Sequence, residues 1–73
     1  MKKNRIYQLS FGRDGSSGYT SDYFSSKSGA EQKIRELWPY LEPSKERPNF
    51  WERYDKNQSF SPHWGRIDEH VLY

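Results

Sequence analysis

FSSKSGAEQKIRELWPYL, residues 24–41, is the stretch whose reading decides the fold. Within it Ala30, Ile34, Leu37, Trp38 and Leu41 recur at i, i+4, i+7, i+8 and i+11, one face of a 3.6-residue period. An apolar stripe of this kind requires a cover from the rest of the chain. Ser28 and Glu31 have the spacing of a capping box, in which the hydroxyl accepts an amide of the first turn and the carboxylate returns to the cap amide. Ser26 is a rival cap two residues earlier. Glu31 and Arg35 form an outward i,i+4 pair worth a few tenths of a kcal/mol, and Pro39 ends or kinks the helix because it lacks an amide proton.

Immediately upstream, RIYQLSF (residues 5–11) alternates, with Tyr7, Leu9 and Phe11 on one face and Ile6, Gln8 and Ser10 on the other, the pattern of a half-buried strand. GRDGSSG (12–18) reads as a turn, and YTSDYF (19–24) as the returning strand. A two-residue turn at Asp14-Gly15 sets Leu9 opposite Thr20, Arg5 opposite Phe24 and Ile6 opposite Tyr23; a longer loop shifts that register. The short connection 25–27 folds the helix back onto this hairpin.

Downstream, EPSKERPN (42–49) reads as an exposed loop with two prolines and alternating charge. FWERY (50–54) fits two periods. Asn49 can cap a short helix with Phe50, Trp51 and Tyr54 on one side, or Phe50, Glu52 and Tyr54 can alternate along a strand; the short helix, within 49–56, is the reading adopted here. DKNQSFSPHWG (55–65) is loop-like with Phe60 and Trp64 as anchors, and RIDEHVLY (66–73) reads as a closing strand with Ile67 and Val71 inward and Leu72 reversed. The expected architecture is a single α+β domain over residues 1–73: a small antiparallel sheet in ββαβ order with one main helix on one face.

A chain of 73 residues buries only roughly 60% of its extended surface. Leu, Ile and Val number eight, but three Trp, six Tyr and four Phe make thirteen large rings, and the net charge is only +2. Those rings supply the core that the aliphatics cannot. The absence of cysteine excludes disulfides and thiolate metal sites and fits a cytoplasmic setting. No apolar run is long enough for a membrane span. Twelve basic and ten acidic residues are interspersed; only the first thirteen residues, with Lys2, Lys3, Arg5 and Arg13 and no acid, are one-signed.

Four kinds of chemistry compete. Asp68 and His70 leave the same face of a strand and His63 precedes it, a loose metal-ligand spacing; the plainer reading is an amphipathic strand, and no metal ligand or cofactor is assigned. His63 or His70 with Arg53, Arg66, Asp68 or Glu69 suits proton transfer beside a phosphate. WGRIDEHVLY resembles the W-x-R-R-I-x-x-E-H-x-L-V-Y stretch of RelE/YoeB-type ribosome-associated toxins, which implies a small ribonuclease. The likeness covers about ten residues, and those toxins continue into strands carrying their catalytic end whereas this chain stops at Tyr73. No catalytic residue is therefore assigned. Aromatics interleaved with cations in residues 50–54 and 63–66 suit base stacking with phosphate contacts, but Glu52, Asp55, Asp68 and Glu69 dilute the field.

The reading adopted is a protein-binding module. Trp, Tyr and Arg dominate interface hot spots, and Trp51, Arg53, Tyr54, Trp64 and Arg66 are the candidate contacts. A small sheet also has edges that accept a partner strand or a second copy, so a homodimer through a sheet edge is a further expectation. In addition, FSSKSGAEQKI with the closing RIDEHVL is similar to very small phage and bacterial α+β proteins in which a strand leads into F-x-S-x-x-x-A-x-x-x-I and a last strand carries I-x-E-x-x-L. Ala30, Ile34, Ile67, Glu69 and Leu72 are the matching positions, all structural. Some phage proteins of this size, anti-CRISPR proteins among them, occlude a host machine. The resemblance implies a stoichiometric inhibitor or adaptor and transfers no functional residues.

Overall fold

The computed structural model describes residues 4–72. It contains β1 (Asn4–Gly12), β2 (Tyr19–Phe24), α1 (Lys27–Leu37), β3 (Leu41–Pro43), β4 (Phe50–Arg53) and β5 (Trp64–Leu72). The strands form one antiparallel sheet in the order β2-β1-β5-β4-β3. The fold is thus α+β with a five-stranded sheet and one helix, and the expected ββαβ order becomes ββαβββ. Two strands lie where a loop and a short helix were expected. Of the segment 42–49, Glu42 and Pro43 belong to the three-residue β3 and 44–49 is the hairpin connection, and Phe50–Arg53 is extended, with Phe50 opposite Arg66 and Trp51 opposite Gly65. Pairing to β5 outweighs the helical alternative, because one turn of helix has no cooperative stability of its own.

β1 behaves as its alternation demands. Tyr7, Leu9 and Phe11 face the helix, and Leu9 is fully buried opposite Ile67 of β5. The core is Leu9, Ala30, Ile34, Leu41, Trp51 and Ile67, with Tyr7, Phe24, Trp38 and Tyr40 packed at its margin. Ser26, not Ser28, is the helix N-cap: its Oγ accepts the Gly29 amide at 3.1 Å. The apolar stripe is shorter than the periodicity suggested. Ala30 and Ile34 are buried on α1, but Leu37 points outward, Trp38 caps the C-terminus by donating its amide to Ile34 O at 2.8 Å, and Leu41 reaches the core from β3.

The β1–β2 register also differs. Tyr7 stands opposite Phe24, Gln8 opposite Tyr23, Leu9 opposite Asp22 and Ser10 opposite Thr20, so Ser21 is an extra residue forming a bulge. The connecting loop is correspondingly longer: Arg13–Ser16 is a turn closed by Ser16 N–H to Arg13 O at 2.9 Å, with Gly15 at φ 81° in the position where such turns require positive φ. Both outer edges of the sheet are blunted. β2 carries the bulge, and its Tyr23 amide donates to the adjacent Asp22 carboxylate at 2.8 Å; β3 is three residues long and ends in Pro43.

The loop between β4 and β5 is held by two side chains, those of Arg53 and Tyr40. Buried Arg53 donates to Gln58 O at 2.8 Å and pairs with the Asp14 carboxylate, tying this loop to the β1–β2 turn. Tyr40 donates its hydroxyl to Pro62 O at 2.7 Å, with its ring against Phe60. Burial raises the Tyr40 phenol above its ordinary value near 10, partly offset by the charge of Arg53. The folded state therefore holds this proton more tightly than the unfolded chain. The associated stability is intact below about pH 10 and is lost as pH climbs through the raised folded value. Tyr40→Phe is expected to cost about 1 kcal/mol at neutral pH and to flatten the alkaline fall in unfolding free energy. Parallel alkaline profiles for the two proteins would refute this.

Candidate functional site: a groove on the helix-free face

Strand alternation sorts side chains between the two faces of the sheet. Because Tyr7, Leu9 and Phe11 face α1, their partners Glu69, Ile67 and Gly65 do too, and Trp64, Arg66, Asp68, His70 and Leu72 leave the opposite face. Phe50 and Glu52 join them from β4. Among the described residues, no helix covers this side.

Trp64 organises the groove on that face. Its indole Nε1–H donates to Arg13 O at 2.9 Å, and its six-membered ring lies so close to Gly12 and Gly18 that a side chain at either would collide with it. The other side of the indole stacks on Phe50 at 5.8 Å between centroids, 18° from parallel. Guanidinium groups flank the pair, Arg47 at 5.0 Å over Phe50 and Arg66 at 5.7 Å over Trp64. The hollow above them has a volume of about 420 Å3 and is rimmed by the Gly15–Ser17 turn and the β3–β4 hairpin.

The charges lining this groove balance: Arg47, Lys56 and Arg66 against Asp14, Glu46 and Glu52. Most are also paired internally. Lys56 lies 3.8 Å from Glu52, Arg66 Nε–H donates to Asp68 at 2.8 Å, and Asp14 is bound by Arg53. A surface so neutralised attracts neither polyanions nor polycations over distance.

The five contacts expected from sequence do not form one surface. Trp51 and Arg53 face the helix side and are buried, 7% and 8% exposed, so both are structural. Tyr54 is 82% exposed on the loop after β4. Only Trp64 and Arg66 meet, and Trp64 offers little surface, at 8% exposed. The indoles of Trp51 and Trp64 therefore serve packing, while among the described residues the exposed rings are Tyr19, Tyr23, Tyr54 and Phe60. Arg47 escaped the sequence reading, and Phe50 was weighed for base stacking but not as a protein contact; β4 read as extended would have set Phe50 beside Arg66.

The histidines are not brought together. His70 Nε2 is 2.7 Å from Gln8 Oε1, whereas His63 lies at the groove rim, and no group of three potential metal ligands converges among the described residues. His63 Nδ1 accepts the Asp14 amide at 3.0 Å, so this ring nitrogen is engaged by the β1–β2 turn. No helix among the described residues is long and apolar enough to cross a membrane.

Compared with known protein families, curated proteins and solved structures, the chain matches none.

Proposed function

We propose that this is a small non-enzymatic binding protein that works stoichiometrically, covering a surface of a protein partner with the helix-free face of its sheet. The observation that carries this reading is the groove over Phe50, a half-buried ring backed by Trp64 and flanked by the exposed Arg47 and Arg66, set among equal numbers of cations and carboxylates. Aromatic and guanidinium groups are the usual anchors of protein interfaces. A balanced set of charges gives orientation and selectivity on a protein surface that itself carries both signs. In a cell, such binding acts by exclusion, as an inhibitor or adaptor; occlusion of a host machine by a phage-encoded protein is the setting suggested by the sequence resemblance.

A nucleic-acid reading is favoured by one feature, the two arginines lying over aromatic rings, a motif that also suits exposed bases. The internal ion pairs weigh against it, because phosphate binding needs cations that are not already neutralised. The RelE-like ribonuclease reading has less to support it, because His63 Nδ1 is already engaged by the Asp14 amide and His70 is not brought beside it.

The test is affinity capture from nuclease-treated lysate with the wild-type chain and with the double variant Arg47→Glu/Arg66→Glu. Both positions are exposed, so folding should persist. The expected result is a protein recovered by the wild type and bound at least about tenfold more weakly by the variant, a loss of the size found at interface anchors. Equal recovery by the two proteins, or recovery of nucleic acid alone, overturns the proposal.

A further inference from the structure

β5 is nine residues long, but β4 accompanies it only from Trp64 to Arg66. The separation has a local cause. Asn49 has φ 58°, a left-handed conformation that turns the chain away just after its carbonyl has accepted the Ile67 amide at 3.0 Å. Beyond that bond, Asp68 to Leu72 pairs with β1 alone. Successive peptide groups in an antiparallel strand point to opposite sides. Since the Ile67 amide points toward β4, the N–H and C=O of Glu69 and Val71 point the same way, and among the described residues nothing pairs with them.

The geometry points to this interior edge as a strand-addition site that takes an extended, aliphatic segment of another protein as a sixth strand. Three observations support that occupant. The edge has neither proline nor bulge, unlike the blunted edges at β2 and β3. Its side chains are suited to aliphatic neighbours on both faces. Val71 is exposed on the helix side, and Leu72 is exposed on the other, where with Ile6 and Tyr23 it lines a shallow hollow of about 280 Å3. The two carboxylates along the edge are already paired, Glu69 with Arg5 at 3.2 Å and Asp68 with Arg66, so the occupant needs no complementary charge and must not be acidic.

A second copy fits less well. A stable dimer buries about 800 Å2 of each partner, roughly a seventh of this chain's 5524 Å2 surface. Two five-residue edges paired about a dyad at His70 supply far less and set two imidazoles against each other. Strand addition here is independent of the groove, because its hydrogen bonds come from the backbone of Glu69 and Val71.

The experiment is an NMR titration of the full chain with a capped peptide of alternating valine and threonine bearing a lysine at each end. The expected result is that the amides of Glu69 and Val71 shift most and become protected from exchange. N-methylation along one edge of the peptide should abolish binding, and along the other should leave it intact. The single variant Arg47→Glu, which leaves the Arg66–Asp68 pair intact, should bind this peptide as the wild type does, so failure of the groove reading leaves this result standing. The inference is overturned if millimolar peptide produces no shift, if the shifts centre on β2 or β3, or if the same amides are protected by self-association without peptide.

Discussion

Gly18→Ala should cost this protein about 2–5 kcal/mol of unfolding free energy, a large share of what a domain of this size has. Two effects add. Gly18 has φ 87°, and a side chain in the left-handed region costs about 1–2 kcal/mol. The added methyl would also lie 2.8 Å from the Phe11 carbonyl oxygen and closer still to the Trp64 ring. Overpacking of that kind costs about 1–3 kcal/mol. Trp64 cannot simply retreat, since its Nε1–H is bound to Arg13 O on one side and its ring rests on Phe50 on the other. Total stability at about 0.05–0.15 kcal/mol per residue is only some 4–11 kcal/mol here. Urea unfolding measures the difference directly, and a change below about 1 kcal/mol would mean that the indole does not sit on Gly18. Gly15 supplies the contrast: its φ is also positive, but a methyl there would meet nothing, so only the backbone cost applies.

The second large effect is at the centre of the sheet. Leu9 is fully buried on β1, between Asp22 of β2 and Ile67 of β5 and beneath Ala30 and Ile34 of the helix. Leu9→Ala removes atoms from a site enclosed by three strands and a helix, where collapse is restricted, and should cost about 3–5 kcal/mol, the upper part of the range for such substitutions. Leu37→Ala is the matched comparison. Leu37 belongs to the same sequence periodicity but is 44% exposed, so its replacement should cost less than about 1 kcal/mol. Equal costs at the two positions would show that the helix presents a different face to the sheet.

That comparison marks how far the sequence could be read. The helix, the alternation of β1 and the closing strand were legible because each is long enough for its period to repeat and each carries a start or turn signal. The class α+β follows from them. β3 and β4 were hidden for different reasons. Leu41–Pro43 is too short to show a period, and the aromatics of FWERY satisfy a helical and an extended spacing equally, so only the pairing of Trp51 with Gly65 and Phe50 with Arg66 decides between them. The hairpin register was missed because a single bulged residue, Ser21, cannot be inferred from a strand whose residues are nearly all exposed.

The candidate site was legible only in part. Aromatic richness was read as surplus available to a partner, yet Trp51 and Trp64 are needed inside a chain with eight branched aliphatics. What remains outside is mostly tyrosine, with Phe60. Arg53 resembled an interface residue by composition but is held inside by Asp14 and the Gln58 carbonyl. Arg66 was named as a contact by composition and is exposed on the helix-free face; its neighbours Arg47 and Phe50 required the sheet order. Charge balance was visible from the beginning as a whole-chain total, but its local form, internal pairs at Lys56–Glu52 and Arg66–Asp68, depends on cross-strand and loop geometry.

Because the groove is electrically balanced, the protein binding proposed for it should rest on contact and packing and not on released counterions. Titration calorimetry of the wild-type chain with the protein it captures, at about 50 mM and 200 mM salt, tests this most directly. Affinity is expected to change by less than about threefold across that range. A fall on the order of 1,000-fold, the behaviour of a protein that neutralises many phosphates, would contradict it.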